Sequence, residues 1–330
     1  MPRAGFGRNR DKAAVPFWNE LTDLFVPALL FAVSILGLWL GAEWLVSGAA
    51  AIARRFGISE LVIGLTVVAF GTGLPEAVVT IDAAITGRPD IAVGNVVGSN
   101  IVNIAVVLGV VAIIRATPVS RSLVRRDGTA LVATTVLAVV AAADGSFSRL
   151  EGGLLLALWL GYLWWLFRNH GESSRRERGP SDTRALALAA AKLVVGLAVV
   201  VTSGAVLVDA ATTLARSFGI SEWTIGATVV AIGTSTPELV VSLLALYRGR
   251  TGLSLGNVIG SNIVNLFGVL GVAAAIQPIT VNPAAFSGML WLLALVGVFV
   301  VALWTGHRLS RVEGGALLSS EVVRWVLGFG

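Results

Sequence analysis

Ten apolar blocks separated by short polar connections run the length of this chain. They fall near residues 25–53, 60–86, 91–114, 128–144, 150–168, 186–214, 222–247, 253–276, 286–305 and 312–328. A helix crosses the hydrocarbon layer in roughly 20 apolar residues, so the blocks predict membrane spans. The one long polar connection, RNHGESSRRERGPSDTR at 168–184, leaves five spans on either side. Five is odd, so the second half enters the membrane from the opposite face and the halves become inverted repeats. The expected fold class is all-α and polytopic. It comprises an N-terminal arm at 1–24, a first repeat at 25–168, a cytoplasmic linker at 169–185 and a second repeat at 186–330.

The halves share sequence as well as pattern. Residues 57–109 and 219–271 match at a fixed offset of 162, with 31 identities in 53 positions. Each copy places a glutamate, Glu76 or Glu238, inside an apolar block and follows it with a GN-V-x-GSNIVN segment. A charge such as Asp at the bilayer centre costs about 2.5–3.5 kcal/mol on insertion scales, so a pair at equivalent positions points to function. Repeats with broken helices and polar groups at the midplane are the pattern of secondary transporters.

Composition agrees with the spans. The chain is 56% hydrophobic and 13% charged, with a mean hydropathy of +0.86, against about 25% charge in a soluble domain. It has no cysteine, which excludes disulfides and thiolate metal sites. Its two histidines, His170 and His307, fall in polar connections and offer no histidine-based site inside the membrane. The net charge of +5 reflects arginines in the connections, so no nucleic-acid partner is expected. Connections after odd-numbered spans hold 15 arginines and those after even-numbered spans hold 3. The positive-inside rule then puts the odd connections in the cytoplasm and both termini outside. Arg3, Arg8, Arg10 and Lys12 of the N-terminal arm run against that assignment.

The polar residues share faces. Ala69, Thr72, Gly73 and Glu76 follow helical spacing in span 2, as do Ala231, Thr234, Ser235 and Glu238 in span 7. Pro75 and Pro237 remove a backbone hydrogen bond beside each face and free the carbonyls of Gly71 and Gly233. Neighbouring backbone oxygens, those of Ala69 and Ala231 included, become candidate ligands. Ser99 with Asn103, and Ser261 with Asn265, supply further oxygens from spans 3 and 8. These serines can also back-bond to helix carbonyls, and the asparagines can join helices. Carboxylates, hydroxyls, amide oxygens and carbonyls are all hard donors, suited to Na⁺ or Ca²⁺. Two ionised glutamates neutralise one Ca²⁺, and could instead host several Na⁺ or protons. Glu43 and Asp209 are read as lying near span ends, and Asp82 as peripheral because it points away from the Glu76 face.

The motifs G-T-x-x-P-E and G-N-x-x-G-S-N, each present twice, resemble the two signature repeats of the cation/calcium exchanger superfamily. The resemblance implies that Glu76 and Glu238 are central shared carboxylates. It also implies that Thr72, Thr234, Ser235, Ser99, Ser261, Asn103, Asn265 and the carbonyls of Ala69 and Ala231 contribute oxygens. It further implies that spans 1 and 6, which carry Gly41 and Gly204, slide against the rest during alternating access. Two positions depart from the pattern. Gly73 stands where the family usually has serine, and both copies end in asparagine where some relatives have one aspartate.

The expected function is therefore a Ca²⁺ for Na⁺ antiporter in a prokaryotic plasma membrane, exporting Ca²⁺. Its expected partners are the transported ions and the bilayer, without an organic cofactor or an obligate protein partner. An H⁺/Ca²⁺ antiporter of the same superfamily is the nearest alternative, and a cation channel a more distant one. An intramembrane hydrolase lacks a base, because no histidine lies in a span and Lys192 is isolated in span 6.

Overall fold

The computed structural model describes residues 17–169, 183–220 and 231–327. The start of the seventh expected span, most of the linker and most of the N-terminal arm lie outside these. The helices are α1 (Phe17–Phe56), α2 (Glu60–Thr72), α3 (Leu74–Ile85), α4 (Pro89–Ile114), α5 (Leu123–Asp144) and α6 (Arg149–Arg168). In the second half they are α7 (Thr183–Ser217), α8 (Ala231–Thr234), α9 (Thr236–Tyr247), α10 (Thr251–Ile276), α11 (Pro283–Gly306) and α12 (Arg311–Leu327). Among the described residues, seven helices are long and apolar enough to cross a membrane, and the bent pair α2 and α3 makes an eighth. Helix α9 is short, and α12 carries Arg311, Glu313, Glu321 and Arg324, which lower its hydropathy.

Polarity is arranged inside out relative to a soluble protein. Val33, Trp39, Val194, Val298 and Val301 face outward, whereas Thr72, Glu76, Ser99, Asn103 and Glu238 are buried. An apolar exterior suits lipid, which rewards burial of polar groups rather than of hydrocarbon.

Four two-residue strands establish the inversion. β1 (Thr117–Pro118) pairs antiparallel with β4 (Arg308–Leu309), and β2 (Ser146–Phe147) pairs antiparallel with β3 (Ile279–Thr280). At the offset of 162, β1 is the equivalent of β3 and β2 of β4. Helix α5 separates β1 from β2, so they lie on opposite faces of the bundle. Pairing puts β4 on the face of β1, opposite its own equivalent β2. The halves are inverted repeats.

They are also interlocked. A Cβ on Gly152 of α6 would lie 2.4 Å from the backbone nitrogen of Ala275 in α10. The equivalent contact places Gly314 of α12 against Gly109 of α4, where a Cβ would lie 2.7 Å from the Gly109 carbonyl oxygen. The last helix of each half thus packs backbone to backbone on the third span of the other. Helices α1 and α7 form an antiparallel pair of their own. Gly48 fits against Ala189 and Leu193, and Gly196 against Gly41 and Leu45.

One expectation about the connections needs correction. The fourth span was placed at 128–144 and Arg125 and Arg126 in the connection before it, yet both arginines lie within α5. Charge inside the helix is tolerated because Arg126 Nε lies 2.7 Å from Oδ1 of the fully buried Asp127, with Tyr162 donating to the same carboxylate at 3.2 Å. Removing one partner of a buried pair leaves the other uncompensated, at about 3–5 kcal/mol. Arg126→Leu is therefore expected to lower the melting midpoint in detergent by the equivalent of about 3 kcal/mol. An unchanged midpoint would mean that Tyr162 alone satisfies Asp127. The first helix also begins at Phe17, ahead of the expected start at residue 25.

Candidate ion-binding site

The break in each second span puts a helix start in the interior. Helices α2 and α3 meet at Gly73 with a 50° bend, and Pro75 occupies the first turn of α3, where its missing N–H costs nothing. Glu76 consequently sits in the first turn of α3, and Glu238 in the first turn of α9. Each carboxylate meets the positive end of a helix, which favours it by about 0.3–1 kcal/mol and up to about 2 kcal/mol when partly buried.

Both glutamates are fully buried. In each, one carboxylate oxygen is held and the other is free. Ser235 Oγ donates to Glu76 Oε1 across the two halves, and Ser261 Oγ donates to Glu238 Oε1, each at 3.5 Å. Among the described residues, Glu76 Oε2 and Glu238 Oε2 have no hydrogen-bond partner.

Spans 3 and 8 contribute equivalent parts. Asn103 and Asn265 are buried, and neither side-chain amide has a partner among the described residues. Each lies in a π-helical turn, Asn103–Val107 or Val264–Val269, a distortion frequent at functional sites. Ser99 and Ser261 are buried one helical turn earlier. Thr72 is buried at the end of α2, while Thr234 is half-buried. The Ala69 carbonyl accepts the Gly73 N–H at 3.1 Å, so it keeps one lone pair rather than being free. Ala231 heads α8. Gly73 has an ordinary φ of −79°, and a Cβ there would lie 3.2 Å from the Ala69 oxygen and 3.5 Å from Asn265 Oδ1. The backbone does not demand glycine at this point.

The sequence reading passed over Asn95 and Asn257, the second residue of each G-N-x-x-G-S-N motif. Asn95 Nδ2 donates to the Glu76 carbonyl at 3.1 Å and to Thr80 Oγ1 at 2.8 Å. Asn257 Nδ2 donates to the Glu238 carbonyl at 3.4 Å and to Ser242 Oγ at 3.0 Å. The signal was present. Asn95, Ser99 and Asn103 are spaced by four, so the polar face begins one turn earlier than it was drawn.

The remaining charges lie apart from this cluster. Glu43 pairs with Arg248, Asp82 with Arg88 and Glu60 with Arg250, while Asp209 is exposed. Among the described residues, no three of His, Cys, Asp and Glu gather around one point. The candidate site therefore holds two carboxylates, with neutral oxygens as its other possible donors.

Residues 26–168 and 188–320 match the family described as sodium/calcium exchanger protein. The putative antiporter CaxA of Alkalimonas amylolytica is 36% identical, over 91% of this chain and 97% of its own. The inner membrane protein YrbG of Escherichia coli K12 is also 36% identical, over 90% of this chain and 96% of its own. The sodium/calcium exchanger MaX1 of Methanosarcina acetivorans is 32% identical, over 91% and 98%. A solved structure of the sodium-calcium exchanger NCX_Mj, soaked with Na⁺ and Sr²⁺, superposes with a TM-score of 0.82. It is 33% identical, with 92% of this chain and 99% of that one covered. Sequence and fold agree along nearly the whole length: this chain belongs to the sodium/calcium exchanger family, and is a multi-pass membrane transporter rather than an enzyme.

Proposed function

We propose that this protein exchanges Ca²⁺ for Na⁺ by alternating access, carrying Ca²⁺ outward across a prokaryotic plasma membrane. The observation that carries the reading is the pair of buried carboxylate oxygens, Glu76 Oε2 and Glu238 Oε2, that have no hydrogen-bond partner among the described residues. Two such oxygens, together with the buried and unpartnered amides of Asn103 and Asn265, suit a hard divalent cation. NCX_Mj, which shares the fold, was soaked with Na⁺ and Sr²⁺, and MaX1 bears the name of a sodium/calcium exchanger.

Coupling follows from charge. Two ionised carboxylates without a cation resist passage through the low-dielectric bundle, and bound Ca²⁺ or Na⁺ removes that cost. Because both ions draw on Glu76 and Glu238, they compete for the site. The remaining proposed ligands are Thr72, Thr234, Ser235, Ser99, Ser261 and the carbonyls of Ala69 and Ala231. The antiparallel pair α1 and α7 would move against the other helices. The arginine-rich face would lie in the cytoplasm with the linker, and both termini outside.

Gly73 favours a second reading, proton-coupled Ca²⁺ transport, because it removes one hydroxyl that a sodium site would use. Uptake of ⁴⁵Ca²⁺ into proteoliposomes separates the readings. Uptake driven by internal Na⁺ supports the first, and uptake driven only by a pH gradient supports the second. Uptake with neither gradient would indicate a channel.

Gly73→Ser probes the same point. The new Cβ requires a shift of only a few tenths of an ångström. If a Na⁺ site lies there, the half-saturating Na⁺ concentration should fall about fivefold, the equivalent of about 1 kcal/mol for one added ligand. An unchanged Na⁺ dependence would place Gly73 outside any sodium site.

A further inference from the structure

We propose that Asn257 is a positioning residue that clamps Thr72, in the first half, to the Glu238 segment of the second. The inference rests on the ion-exchange reading and adds a group to it. Asn257 is fully buried and uses both ends of its amide. Its Oδ1 accepts the Thr72 hydroxyl proton at 3.2 Å. Its Nδ2 donates to the Glu238 carbonyl and to Ser242 Oγ. A hydroxyl has one proton and two lone pairs. Thr72 Oγ1 also neighbours the Glu238 side chain; when its one proton goes to Asn257, only acceptor capacity is left for an ion. Thr72 is also the last residue of α2 before the break at Gly73, so the clamp fixes the chain where its helical register is lost.

The clamp has a direction that the repeat symmetry does not require. Asn95, the equivalent residue, makes the two matching donations to the Glu76 carbonyl and Thr80. The half-buried Thr234, the equivalent of Thr72, makes no matching bond to it. Among the described residues, Thr72 alone of the two equivalent threonines makes this bond to the other half. Groups that orient metal ligands from one shell out typically contribute about 10–100-fold in affinity.

The test is a double-mutant cycle on Asn257→Leu and Thr72→Val, read as half-saturating Ca²⁺ in ⁴⁵Ca²⁺ uptake by proteoliposomes. Each single variant is expected to weaken Ca²⁺ about tenfold. Added to Thr72→Val, Asn257→Leu should cost no more than about twofold, because the residue it acts through is gone. Asn257→Asp keeps an acceptor for Thr72 but loses both Nδ2 donations, so it should not recover the affinity; full recovery would leave the Glu238 end of the clamp without a role and overturn the proposal. An equal loss from Asn257→Leu in both backgrounds would make Asn257 a structural support for α9 alone and overturn the proposal. If the leucine variant does not assemble, Asn257→Ser removes the same acceptor and carries the same expectation. Glu238→Gln run in parallel separates the two levels. Its failure to reduce uptake would sink the site assignment itself, whereas its loss of uptake beside a silent Asn257→Leu would sink only the clamp.

Discussion

Glutamine at either Glu76 or Glu238 is expected to reduce Ca²⁺ exchange by at least about a hundredfold, since partners one shell further out already cost about 10–100-fold. Glutamine keeps the shape of the side chain and an oxygen that can accept from Ser235 or Ser261, so the fold should persist. What changes is charge. The site drops from two negative charges to one, too few to neutralise Ca²⁺ in a water-poor interior. The measurement is Na⁺-driven ⁴⁵Ca²⁺ uptake at matched protein density, with size-exclusion chromatography in detergent to confirm assembly. Near-normal exchange by either assembled variant would remove that glutamate from the site.

A second large effect is expected on assembly. A Cβ on Gly256 would fall 2.5 Å from the Leu61 carbonyl oxygen, and one on Gly260 would fall 2.6 Å from that of Leu65. Both obstacles are backbone atoms of α2, which cannot swing aside as a side chain could. Overpacking typically costs about 1–3 kcal/mol, and Gly256→Val sets a branched side chain against a rigid helix at the upper end of that range. The variant should melt earlier or aggregate in detergent, and any folded fraction should exchange Ca²⁺ poorly, because α10 also carries Ser261 and Asn265. Gly153→Ala, on an exposed face of α6 with open space around it, is the matched control and should be silent. A stable, active Gly256→Val protein would show that α2 and α10 can separate without cost.

Much of this architecture was legible because membranes make strong demands on sequence. Apolar length marked the spans, and the odd count in each half implied the inversion that the β1–β4 and β2–β3 pairs display. Helical spacing put Thr72 and Glu76 on one face, and the structure buries both. The distortions were harder to see. The π-helical turns at Asn103 and Val264 depend on how neighbouring helices press on the backbone, and no local residue announces them. Arg126 looked like a connection residue because burial of its neighbour Asp127, and the bond that Asp127 accepts from Tyr162, appear only when α5 and α6 are packed together. Asn95 and Asn257 were in view, but an amide that bonds backbone is indistinguishable in sequence from one that binds an ion.

The crossed packing of α6 on α10 and of α12 on α4 bears on how the protein is made. A ribosome delivers the first half complete, yet the faces of α4 and α6 that it presents belong to helices still untranslated. At about 5–20 residues per second, roughly ten to thirty seconds pass before α12 follows. For the first part of that interval, until α9 is made, Glu76 lacks Ser235, and the five-helix intermediate must be sheltered by lipid, water or the insertion machinery. Biogenesis is therefore the stage at which this duplicated chain is most exposed to misassembly, and it closes only when its last helix arrives.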